Sequence, residues 1–129
     1  MLRILIVLAA LGATPALATE WVHCNDAGGA ASFDYLAGDG LGVLQVSELT
    51  VSAGEKVWAS DPANGPGDPV KVGQAFEDEH TVSIDAMDKD FAKIAELRLF
   101  KASEGENVVL AGTLRIVGLG AWAVSCDPA

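Results

Sequence analysis

Apolar and polar residues alternate along most of this chain with a period of two. Between residues 81 and 86, Val82, Ile84 and Ala86 fall on one side and Thr81, Ser83 and Asp85 on the other. That is the pattern of a strand with one buried face. The same alternation predicts a strand over residues 20–24, with Val22 and Cys24 opposite Trp21 and His23. Further strands are expected at 31–36, 43–51, 56–60, 70–72, 107–117 and 121–126. In 43–51 the apolar set shifts from Leu44 and Val46 to Leu49 and Val51. The shift predicts a β-bulge near Ser47-Glu48. In 56–60, Trp58 lies opposite Val57 and Ala59, and in 121–126, Trp122, Val124 and Cys126 share a face.

Turn residues punctuate these segments. Gly38-Asp39-Gly40-Leu41-Gly42, Ser52-Ala53-Gly54-Glu55 and Ser103-Glu104-Gly105-Glu106 read as turns. Residues 61–69 hold three prolines and read as an irregular loop. Segment 88–101 carries two signals. Asp88 followed by Phe91, Ile94 and Ala95 has helical spacing, whereas Ala95, Leu97 and Leu99 alternate. The expectation is a helical turn near 88–93 feeding a strand over 94–101, with one long helix as the alternative. About eight short strands between Gly-rich turns predict an all-β fold: a small antiparallel β-sandwich, or a closed or partly open barrel.

The first 18 residues break this pattern. Arg3, the apolar run from Ile4 to Leu11 and the small residues Ala16 and Ala18 form the three parts of a secretory signal, cut after Ala18. The run falls short of the roughly 20 apolar residues a spanning helix needs. Residues 19–129 are then one exported domain, periplasmic or secreted, with no membrane insertion of the mature chain. Compartment changes the reading of the cysteines. Cys24 and Cys126, near the two ends of that domain, are expected to form one disulfide.

Removing Arg3 leaves 7 basic against 18 acidic residues, a net charge of −11. Such a field repels nucleic acid and favours a basic partner. Glu77-Asp78-Glu79, beside His80, is the densest acidic run and the candidate contact for a basic protein, with Trp58 as the candidate aromatic contact. No cofactor is expected, and no catalytic residue is assigned. Gly38-Asp39-Gly40-Leu41-Gly42 lacks the strand before and helix after that a dinucleotide loop needs. Asp85 and Glu96 fall at the first and last positions of a calcium loop, but Met87, Lys89 and Asp90 occupy ligand or glycine positions between them. A non-helical calcium site on Asp85, Asp88, Asp90 and Glu96 stays open. His23 and His80 lack the spacing of a zinc site, and no serine sits in a nucleophile elbow.

The signal, Cys24, Cys126 and the wealth of strands are similar in layout to the C-type lysozyme inhibitors, exported β-barrels tied by a disulfide. The Ser-Gly-rich inhibitory loop of that family is absent between Ala27 and Gly42, so no site residue carries over. The function expected from the chain is a non-enzymatic exported domain that binds a protein or small ligand. The alternatives are an acidic inhibitor of a cationic enzyme such as a lysozyme, and a small secreted hydrolase.

Overall fold

The computed structural model describes residues 19–40 and 43–128. Residues 1–18, where the signal is predicted, and Leu41 and Gly42 of the first predicted turn lie outside the described residues. The strands are β1 (Thr19–Asn25), β2 (Ala31–Gly40), β3 (Val43–Ala53), β4 (Lys56–Ala59), β5 (Asp68–Pro69), β6 (Lys71–Glu77), β7 (Thr81–Met87), β8 (Lys93–Glu104), β9 (Asn107–Ile116) and β10 (Gly120–Asp127). They form one ten-stranded sheet in the order β5-β4-β3-β2-β1-β10-β9-β8-β7-β6. Every pairing is antiparallel except β4 with β5. This is a meander whose first and last strands meet. On the far side β6 lies along β3 without entering its ladder. The fold is therefore all-β and a nearly closed, barrel-like sheet, with no helix among the described residues long and apolar enough to cross a membrane.

The period-two pattern places the core. Val22 and Cys24, Phe33 and Tyr35, Leu49 and Val51, Ile84 and Ala86, Leu97 and Leu99, and Leu114 and Ile116 all point inward and are buried. Burying each large apolar side chain contributes about 1.5–3 kcal/mol. Phe33 and Tyr35 meet edge to face, their ring centroids 6.3 Å apart. The predicted bulge is present. Leu36 pairs with Glu48 and Ala37 with Val46, leaving Ser47 as the extra residue on β3.

Three expectations need correction. Residues 88–92 form a turn, not a helical turn. The Asp88 carboxylate accepts the Asp90 and Ala92 backbone N–H groups, and Phe91 adopts φ 63°, which ends any helical path. The short strand expected at 70–72 is instead the start of a longer β6 that begins at Lys71 and runs to Glu77. Its outer half borders the barrel seam and is largely exposed, so it carries no apolar alternation. Asp85 lies on the outer face, yet it is 5% exposed. Arg98 and Lys93 fold over it, with Arg98 Nη2 2.8 Å from Oδ1 and Lys93 Nζ 3.6 Å from Oδ2. The Arg98 approach to Oδ1 is an ion pair with off-line geometry, so that oxygen lacks a formed hydrogen bond.

Candidate functional site

Cys24 and Cys126 face each other across the β1–β10 ladder and are bonded. Among the described residues, that ladder holds three pairs: His23 with Asp127, Cys24 with Cys126, and Asn25 with Ser125. The disulfide thus sits at the middle of the seam joining β1–β5 to β6–β10.

The structure separates the three acids of the Glu77-Asp78-Glu79 run by role. Glu77 ends β6 on the inward side, opposite Val82, and its Oε1 lies 2.7 Å from Lys101 Nζ. Asp78 organises the β6–β7 turn. Its Oδ1 accepts the His80 and Thr81 backbone N–H groups and the Thr81 hydroxyl. These bonds favour the carboxylate and hold its pKa below the usual range. Glu79 alone stands clear, 89% exposed. The sequence presents the run as one charged surface, but alternation and turn geometry divide it.

Beside that turn, the β8–β9 hairpin outruns its neighbours. β7 follows β8 as far as Phe100, and β10 follows β9 as far as Ala111. Beyond them, residues 101–110 pair with each other, tied to the barrel by the Lys101 N–H donating to the His80 carbonyl. Apolar side chains lie on both faces of this two-stranded ribbon and at its base, where Phe100 still pairs with Thr81. Phe100 (71% exposed) and Val109 (59% exposed) share the outer face, and Val108 lies on the inner one. Glu104 and Glu106 mark its tip and are exposed. Between ribbon and turn runs a cleft of about 630 Å³, lined by Glu79, His80, Lys101, Ala102, Ser103 and Val108. Nothing in the alternation of 107–117 signals a projection, because the hairpin's length exceeds that of neighbours defined elsewhere in the chain.

Trp58 is placed differently from expectation. Its partner on β3 is Val51, a fully inward residue, so the indole turns inward and is 8% exposed. The Lys56 ammonium lies 5.5 Å from its ring centroid. The Trp58 ring is therefore core and is not offered to a partner. The outward aromatic of β1 is Trp21, half-buried on the outer face as its alternation with Val22 predicts. Trp21, His23, Asp34, Thr50 and Asn64 line a groove of about 300 Å³. His23, Asp34 and Thr50 stand in one cross-strand row. His23 Nδ1 is 3.2 Å from Asp34 Oδ1. Burial pushes the Asp34 pKa up, outweighing the opposing hydrogen bond and charge of His23.

The acids considered for calcium are dispersed in role. Asp85 and Glu96 are engaged by Lys93, Arg98 and Arg115, and Asp88 caps its turn. Among the described residues, no group of three or more His, Cys, Asp or Glu side chains is placed to hold a metal ion. In comparisons with known proteins, no family model, curated protein or solved structure matches this chain.

Proposed function

We propose that the protein is a non-enzymatic binding domain, exported to an oxidising compartment, that docks a basic protein through the β8–β9 ribbon. The observation that carries this reading is the ribbon itself. It exposes Phe100, Val108 and Val109 beside the carboxylates of Glu79, Glu104 and Glu106. A two-stranded ribbon is marginal in water without further cover, and large apolar residues exposed on both of its faces fit an interaction element. Charge selects the partner. Five basic residues are already held in ion pairs with acids, namely Lys56, Lys93, Arg98, Lys101 and Arg115. The field presented outward is therefore set by the remaining acids, and it steers cationic proteins toward the surface. The disulfide supports an extracytoplasmic compartment, where such bonds persist.

The inhibitor reading is the case in which the basic partner is an enzyme, and a projecting ribbon has the shape to enter a cleft. The test uses purified basic proteins as probes, a C-type lysozyme and cytochrome c, with the protein immobilised. The expected result is saturable binding of one probe that weakens in about 0.5 M salt and is lost in Val108→Ser/Val109→Ser. Equal capture of both probes, unchanged by that double substitution, would reduce the effect to unspecific charge and overturn the proposal. So would binding of neither.

A further inference from the structure

The outer face of β1–β3 carries a groove apart from the β8–β9 ribbon. We infer that the groove lined by Trp21, His23, Asp34, Thr50 and Asn64 binds a neutral carbohydrate ring. Its volume, about 300 Å³, stands at the low end for small-molecule sites and suits one ring unit rather than a folded peptide.

The lining chemistry selects the ligand class. Asp34 supplies a carboxylate that burial has partly stripped of water, with its pKa raised accordingly. His23 approaches one of its oxygens, leaving acceptor capacity on the other. Thr50 and Asn64 each offer both a donor and an acceptor, and Trp21 supplies a flat apolar surface with a donor at its edge. A ring bearing hydroxyls around its rim and C–H groups on its face satisfies all five side chains together. Its hydroxyls both give and take hydrogen bonds, while its face stacks on indole.

Other classes use less of the site. An anion meets Asp34 with no lysine or arginine in the lining. A quaternary amine would use Trp21 and Asp34 but would leave the Thr50 hydroxyl and Asn64 amide unmatched. Asn64 arrives from the 3-10 turn Pro62–Asn64, which is fixed by the Asp61 carboxylate accepting the Ala63 N–H. The proline-rich loop thus acts as a built wall of the groove.

The test is ligand-observed saturation-transfer NMR on the oxidised protein, with cellobiose, maltose and N,N′-diacetylchitobiose as probes and choline as the cationic comparison. At least one disaccharide should bind saturably. Trp21→Ala and Asp34→Asn should each weaken it about tenfold or more, and Val109→Ser on the ribbon should leave it unchanged. Folding of each variant is checked by circular dichroism. If Trp21→Ala fails to fold, Thr50→Val on a half-buried position and Asn64→Ala on an exposed one carry the comparison. Binding of none of the disaccharides, binding of choline alone, or sugar binding that survives the lining substitutions would overturn the inference. Because the ribbon is untouched by these variants, either site can fail without the other.

Discussion

Tyr35 is the single tyrosine of the chain, and its surroundings give it an unusual titration. The side chain is buried on the inner face of β2, 3% exposed. Burial disfavours the phenolate, and the Glu77 carboxylate at the barrel end adds a smaller push in the same direction, taking the pKa up to about 12. The folded state therefore holds this proton more tightly than the unfolded chain. The associated stability is complete below pH 10 and is lost as the pH rises toward 12, by roughly 3 kcal/mol across that window. Ultraviolet titration of tyrosinate, kept to the range where circular dichroism shows the fold intact, should give one transition well above 10. In Glu77→Gln it should move down, though by less than burial accounts for. A folded-state transition near 10 would mean that Tyr35 is solvated and that the barrel end is open. The same residue scale explains a failure of reading from sequence. Three adjacent carboxylates look alike in a string, yet one faces Lys101, one caps a turn and one meets water.

At the scale of the element, β9 runs closest to its neighbour β8 at Gly112 in the sense that no side chain fits there. Gly112 pairs with Leu99 on β8 and with Val124 on β10. A Cβ there would enter the space of the Arg98 carbonyl and come 2.9 Å from Leu99 Cα. Backbone cannot yield as a flexible side chain would, so Gly112→Ala should cost about 3 kcal/mol or more. Gly105, in the β8–β9 turn, makes the control. It has open space around it but φ +61°, so Gly105→Ala should cost only about 1–2 kcal/mol. Urea unfolding of the two variants separates steric closeness from conformational strain, and equal losses would show that the backbone of β8 does not crowd Gly112. Such elements were partly legible beforehand. Alternation located the strands and even the Ser47 bulge, because a slip of one residue exchanges the faces of a strand. It left open which face of β4 turns inward, because four residues alternate equally well in either sense and only the pairing of Trp58 with Val51 decides. Only the start of β6 was legible, because a bulge between Val72 and Gln74 interrupts the alternation and Gln74, Phe76 and Glu77 are exposed. The groove was visible only as Trp21 and His23 on one face of β1. Asp34, Thr50 and Asn64 join them through cross-strand register and a loop path, which no single segment encodes.

The whole molecule is two runs of strands, β1–β5 and β6–β10, held at two seams of different character. At one, β6 lies along β3 outside its ladder. At the other, β1 and β10 share a ladder of three pairs with the Cys24–Cys126 bond at its centre. A ladder that short is a weak joint, and the chain's formal net charge of −10 adds self-repulsion to the compact state. The disulfide spans 102 residues, so it removes much of the loop entropy of the unfolded chain, by about 4–5 kcal/mol in the chain-entropy model. Cys24→Ala/Cys126→Ala should lose stability of that order, a large share of what a domain of this size holds. The place of the loss is as specific as its size. Hydrogen exchange in the variant should rise first in β1 and β10. β7 and β8 should hold longer, because each has antiparallel partners on both sides and the inward residues Ile84, Ala86, Leu97 and Leu99 lie at the centre of the core. Moderate salt should recover part of the stability by screening the acidic surface, without restoring protection at the seam. A variant that melts within a few degrees of the native protein, or that loses protection uniformly, would show that the β3–β6 side and the core hold the barrel shut without the bond.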